Sequence, residues 1–297
     1  MNLWQDYKRP TSIAEAVRDL TTASGPALPI AGGTDLILDL RQGNHSPVHT
    51  LVDLTFIPEM SALELRGDSL YIGAVVPVSR VARDPLVGAH AQALTEAANL
   101  IAGPQVRNTA TLGGNVAHAL PAADGTIALT ALDAVVEVAS VSGTRKMPFT
   151  SLFLGPGKSA VDKTKEIIVG FYIPAGKTLK VSETFRVSSC FKRIMRPQGV
   201  ALPILNCAIW LARAADKVAD IHIAVGPGGG TPFRATDAES TLRGQPLTEE
   251  TFSRTLDALL SQAKFRNSAR RASADYRRHI VGGLFKDVLE TAWKRAE

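Results

Sequence analysis

The sequence predicts an α+β protein: two small α/β lobes, then a C-terminal lobe with a small antiparallel sheet and helices. Three observations carry that prediction. Short apolar runs alternate with helical patterns up to about residue 178. Two of these segments meet Gly-Gly pairs, Gly32-Gly33 and Gly113-Gly114. Beyond about residue 180, strand-like segments come first and helical ones follow. On this reading residues 1–55 form the first lobe, 56–178 the second and 179–297 the third.

The first lobe opens on a helix. Ser12 followed by Glu15 is a capping box, and Ile13, Ala14, Val17 and Leu20 recur at helical spacing. Residues 27–31 read as a short buried strand running into Gly32-Gly33, residues 35–40 as a helix start, and residues 50–54 as a second buried strand. The second lobe begins with a hairpin, residues 63–66 and 69–72 alternating at the strand period with Gly67-Asp68 at the turn. Helices are expected over 77–84 and 89–100. A loop over 101–116 follows, broken by Gly103, Pro104, Gly113 and Gly114. Strands are expected over 134–141, 145–148 and 166–173. In the third lobe, strands over 182–191, 201–213 and 217–225 lead to a flexible loop at 226–230 and helices over 249–263 and 269–294.

Composition narrows the function. Apolar residues make up 45% of the 297, enough for real cores, and charged residues only 21%, which argues against disorder. The formal charge is +5, with basic residues gathered at Lys264, Arg266, Arg270, Arg271, Arg277 and Arg278. They read as one face of a helix, a solvated or partner-docking surface. With only Phe265 and Tyr276 nearby, they lack the interleaved aromatics of a nucleic-acid binder. Cys190 and Cys207 form no CxxC pair, cannot supply the four ligands of an iron–sulfur cluster, and read as buried free thiols. No metal site is expected. The N-terminal residues lack a signal-peptide core and no apolar run approaches the roughly 20 residues of a membrane helix, so a cytoplasmic protein is expected.

The two glycine loops carry the chemistry. One reads Ala31-Gly32-Gly33-Thr34-Asp35-Leu36, the other Thr111-Leu112-Gly113-Gly114-Asn115. A dinucleotide pyrophosphate needs converging backbone N–H donors and little side-chain bulk, and paired glycines permit both. Thr34 and Thr111 add hydroxyl donors and Asn115 an amide donor. Neither loop is a Walker or Rossmann motif, and each alone is equally a tight turn.

Together with Ile101-Ala102-Gly103-Pro104-Gln105-Val106-Arg107-Asn108-Thr109-Ala110 before the second loop, they resemble the FAD-binding medium subunit of the xanthine dehydrogenase (molybdenum hydroxylase) family. The resemblance extends through Ala119-Leu120-Pro121-Ala122-Ala123-Asp124, Gly155-Pro156-Gly157-Lys158, Glu166-Ile167-Ile168, Phe191-Lys192 and Ser273-Ala274-Asp275-Tyr276-Arg277. It implies a two-lobed FAD-binding domain of the vanillyl-alcohol-oxidase (PCMH) type covered by the third lobe. Ile30, Ala31, Gly32, Gly33, Thr34 and Asp35 would wrap the pyrophosphate and ribitol, and Thr111, Gly114 and Asn115 would hold the pyrophosphate from the other side. Asp124 would bind near the diphosphate–ribose region, with a helix cap as its other reading. Ile101 and Ala102 would pack beside the isoalloxazine, and Ile167 or Ile168 against the ring system or adenine. Lys192 would bring a cation to the flavin, with a surface lysine as its other reading.

The implied function is electron transfer. A large molybdopterin-binding subunit would hydroxylate the substrate, a small subunit would carry [2Fe–2S] clusters, and electrons would pass through FAD to NAD or another acceptor. A dimer of heterotrimers is expected. The sequence departs from the carbon monoxide dehydrogenase pattern at Thr34-Asp35, lacks a cysteine-rich insertion, and carries Arg196-Pro197-Gln198 where acidic residues are common. The alternative is a self-contained flavin oxidoreductase, with His118 the histidine nearest a flavin loop.

Overall fold

The computed structural model describes residues 3–175, 185–196, 202–269 and 271–297. Pro197, Gln198 and Arg270, with the expected strand starts at 182 and 201, lie outside them.

The first lobe is a three-stranded parallel sheet built from β1 (Asp6–Lys8), α1 (Ile13–Thr21), β2 (Ala27–Ile30), α2 (Leu36–Gln42) and β3 (Thr50–Asp53). Its strand order is β1-β3-β2, so β3 pairs with both neighbours through Thr50, Leu51 and Val52. β1 escapes a pattern search because its three residues carry no apolar alternation. Helix α1 buries Ala16, Val17 and Leu20, as its spacing requires. Its capping box is only half formed: Ser12 Oγ accepts from the Glu15 N–H, but the Glu15 carboxylate turns to the Thr11 N–H instead, at 2.8 Å.

The second lobe holds β4 (Leu63–Arg66), β5 (Ser69–Gly73), α3 (Val78–Val81), α4 (Pro85–His90) and α5 (Gln92–Leu100). It continues through α6 (Pro104–Arg107), α7 (Leu112–Ala117), α8 (Asp124–Ala131), β6 (Val135–Ser140), β7 (Gly143–Pro148), β8 (Phe153–Gly155), β9 (Lys158–Ser159) and β10 (Ile167–Pro174). Its antiparallel sheet runs β4-β5-β10-β6-β7, with the predicted hairpin at one edge. The helices expected over 77–84 and 89–100 are three. Asp84 caps α4 by accepting the Leu86 N–H, and Ala91, at φ −147° and ψ 49°, breaks α4 from α5. One apolar core spans both lobes: Val17, Leu20 and Val52 pack in the same cluster as Leu94, Leu129, Val136 and Phe171.

The third lobe is an antiparallel sheet, β11 (Phe185–Ile194), β12 (Leu205–Ala214), β13 (Lys217–Gly226) and β14 (Phe233–Arg234), in sequential order, with α9 (Thr236–Leu242), α10 (Glu249–Gln262) and α11 (Ala274–Arg295). Side chains alternate across it. Phe191, Ala208 and Ala224 join the core of the first two lobes, whereas Cys190, Cys207, Ile209 and Val225 face the helices. Glu96 of α5 ties the lobes together, accepting the Phe191 N–H at 2.7 Å and an Arg295 N–H at 2.6 Å.

Two expectations need correction here. The loop at 226–230 does not hang free: Gly226, Pro227 and Gly228 are buried, and the Gly228 carbonyl accepts the Lys264 N–H at 2.8 Å. The basic residues of 264–278 do not share a helix face. Lys264, Arg266 and Arg271 precede α11, whose N-cap is Ser273, and Arg277 is buried with its guanidinium on the carbonyls of Ile204, Arg266 and Ala272.

Candidate cofactor-binding site

The first glycine loop meets the segment that leads into the second, some eighty residues on. A Cβ on Gly32 would stand 2.1 Å from the Thr109 carbonyl oxygen and 2.9 Å from the Ala110 Cα, so only a bare Cα lets the first loop reach the second. Gly33 turns the chain at φ +65° into α2. Between the end of β2 and the start of α2, the N–H groups of Gly32, Gly33 and Thr34 donate to no acceptor among the described residues. Half-buried, unspent backbone amides on consecutive residues are what an anion site needs. Asp35 is exposed and holds the N-cap of α2 without a side-chain bond.

The second loop is fixed from behind. Val78 N–H donates to the Ala110 carbonyl, Leu112 N–H to Val76 and Gly113 N–H to Ala74, which seats the loop beside the chain leaving β5. Thr111 caps α7, its Oγ1 accepting the Gly114 N–H at 3.1 Å. The hydroxyl proton stays available. Gly114 is exposed, and half-buried Asn115 carries a buried Oδ1 with no partner. Ahead of it, Ala102 sits at φ +46°, a conformation alanine rarely takes. Arg107 holds that turn: its guanidinium donates to the carbonyls of Ile101 (3.0 Å) and Ala102 (2.6 Å). Arg107 brings a cation to the loop junction. It is the residue that sequence reasoning gave no role, and its signal was an arginine between Gly103-Pro104 and Gly113-Gly114.

α8 completes the wall. A Cβ on Gly125 would lie 2.9 Å from Asn115 Oδ1 and 3.8 Å from Ile101 Cδ1, placing this helix start against both. Asp124 is not the helix cap, a position held by Ala123. Its carboxylate is buried and receives Arg193 of β11 and, at 2.8 Å, Asn206 of β12. Burial pushes the Asp124 carboxyl up, and the Arg193 charge pulls against it.

The structure therefore gathers Ile30, Ala31, Gly32, Gly33, Thr34, Ile101, Ala102, Thr111, Gly114, Asn115 and Asp124 around one junction. Ile167 and Ile168 lie on β10, paired with Ala139 and Val138, and are buried in the shared core. Lys192 is not brought in. Strand alternation turns it to the helix side, where its ammonium meets Asp287 at 2.6 Å and Thr291 at 2.9 Å. The neighbouring Arg193 takes the opposite face. His118 is exposed at the end of α7.

Two family models match this architecture: the FAD binding domain in molybdopterin dehydrogenase over residues 3–176, and the CO dehydrogenase flavoprotein C-terminal domain over 189–292. The chain belongs to the molybdopterin dehydrogenase FAD-binding family. It is 31% identical over 287 residues to the xanthine dehydrogenase FAD-binding subunit of Escherichia coli O157:H7, covering 96% of this chain and 95% of that one. It is 32% identical over 292 residues to the nicotine 6-hydroxylase medium subunit of Paenarthrobacter nicotinovorans, covering 97% of each. Among solved structures, carbon monoxide dehydrogenase from Hydrogenophaga pseudoflava lacking the Mo-pyranopterin moiety of its cofactor matches with a TM-score of 0.89 at 28% identity, over 99% of this chain and 98% of that one. The fold is thus the FAD-binding domain plus C-terminal domain of this family, and the chain is an oxidoreductase subunit of the FAD-binding type. The residues present suit the cofactor: unspent backbone amides and a bare Cα for the diphosphate, and the Arg107 cation in the adjoining turn.

Proposed function

We propose that this chain holds FAD across the Gly32–Thr109 contact and relays electrons inside a heteromeric molybdenum hydroxylase. The contact itself is the observation that carries the reading, because it brings three unspent amides of one lobe against the capped loop of the other. On this reading Ile30, Ala31, Gly32, Gly33, Thr34 and Asp35 embrace the diphosphate from one side, and Thr111, Gly114 and Asn115 from the other. Ile101 and Ala102 present an apolar edge that excludes water from the ring. Ile167 or Ile168 would pack against the ring system or the adenine. FAD supplies the exchange between carriers of one and two electrons; this chain binds and orients it and needs no general acid or base of its own.

Relatives named as medium chains or FAD-binding subunits support a three-subunit setting. A large molybdopterin-binding subunit and a small [2Fe–2S] subunit are its partners, the small one feeding electrons to FAD, with NAD or another acceptor taking them. The purified chain is expected to show flavin absorbance after incubation with FAD. Anaerobic NADH is expected to bleach it. A flavin spectrum that NADH leaves unchanged would point to another acceptor. No flavin absorbance at all would remove the proposal, and so would a chain that never co-purifies with a molybdenum partner.

A further inference from the structure

Among the described residues, five buried side-chain polar atoms lack a hydrogen-bond partner: Thr95 Oγ1, Asn115 Oδ1, Thr126 Oγ1, Arg193 Nε and Asn206 Oδ1. Three of them, on Asn115, Arg193 and Asn206, surround the first turn of α8. Orphaned buried atoms are rare and demand a reason. Here they flank a buried ion pair that crosses from the third lobe to the flavin wall: Arg193 to Asp124, side chains 6% and 4% exposed, with Asn206 bridging Asp124 and the Ala122 carbonyl. The pair sits one residue from Gly125, whose Cα faces Asn115 and Ile101.

We propose that Arg193 is a positioning residue of the flavin site, acting through Asp124 to fix the start of α8 and to cancel a buried negative charge beside the bound cofactor. This rests on the reading that FAD occupies the junction of the glycine loops. Reduction of bound FAD adds negative charge. A lone carboxylate one residue behind the Asn115–Ile101 wall would oppose that, and the paired guanidinium removes the opposition. Lys192 cannot substitute, because it faces α11 and is already paired with Asp287.

The test compares Arg193→Met, Arg193→Lys, Asp124→Asn and the Arg193→Met/Asp124→Asn double variant in the full chain loaded with FAD. The readout is the equilibrium midpoint potential of the bound flavin against reference dyes, with the dissociation constant of oxidised FAD measured alongside. R193M is expected to weaken the reduced state about tenfold relative to the oxidised one, about 30 mV for a two-electron couple. D124N is expected to shift the potential the opposite way, R193K to stay within about threefold of the parent, and the double variant to return toward it. A merely structural clamp would weaken FAD binding in both single variants without opposed shifts. If R193M fails to fold, D124N and R193K decide: a raised potential in the first with an unchanged second supports the proposal, and an unmoved D124N overturns it. A parent chain that binds no FAD would instead sink the reading on which the proposal rests.

Discussion

At the scale of single residues, the site depends on one missing side chain. Gly32→Ala would drive a methyl into the Thr109 carbonyl, an atom of the backbone that cannot rotate away. FAD affinity is expected to fall at least about tenfold, more than about 1.4 kcal/mol, and thermal stability to fall with it, because the two backbones must part to admit the methyl. Fluorescence titration with FAD checks it, and unaltered binding would contradict the cradle. The two thiols give a second test. Burial pushes the Cys190 thiol up to about 12 and the Cys207 thiol higher still, so neither should react with a thiol reagent in the native chain and both should after unfolding. Residue-level chemistry was legible where it belonged to the backbone: paired glycines announce close approach whatever surrounds them. It failed at Lys192 because a strand hides which face each residue takes. A shift of one residue exchanges Lys192 for Arg193, and only the pairing of β11 with β12 settles which turns inward.

Elements were legible where local pattern and burial agree. The α1 spacing, the β4–β5 hairpin and the long third-lobe strands follow their periodicities. α8 shows the limit: every residue of it is buried, so no apolar stripe exists to read. α9 was missed because its sequence is largely polar and its burial depends on Glu239, which accepts from Arg234, Arg243 and the Ile223 N–H. The sheet edge offers a pH test. Arg145 on β7 reaches across to Glu166 at 2.5 Å and holds that carboxyl below its ordinary value. A lowered carboxyl contributes stability above its unfolded value and loses it as pH falls through the folded one. Replacing Glu166 with Gln is therefore expected to flatten the acid limb of the melting-temperature profile between about pH 6 and pH 3. The amplitude should stay below about 1 kcal/mol, because Arg145 is largely exposed. An identical acid limb would show that the pair contributes nothing.

Across the whole molecule, the order of lobes could be read from strands and helices in succession, but their docking could not. It depends on contacts between residues far apart in sequence. Glu96 is the clearest case: a helix-surface carboxylate by pattern, yet it accepts a β11 backbone N–H and the guanidinium of Arg295 near the chain's end. Glu96→Gln should cost about 1–3 kcal/mol in urea unfolding, since a buried backbone donor and a cation lose a charged partner. It should also hasten proteolytic release of the third lobe. A variant with parental stability would mean the apolar interface holds the lobes unaided. Among the described residues no helix is long and apolar enough to cross a membrane.

The meeting of Gly32 with Thr109 also sets how freely the two positions can change. Gly32 touches the partner loop with its Cα, so every other residue there adds atoms where none fit. Thr109 offers only its carbonyl to that contact, and its side chain is exposed. A saturation library scored by flavin retention should therefore accept almost nothing but glycine at position 32 and a broad range at 109. One contact would then be invariant on one side and permissive on the other.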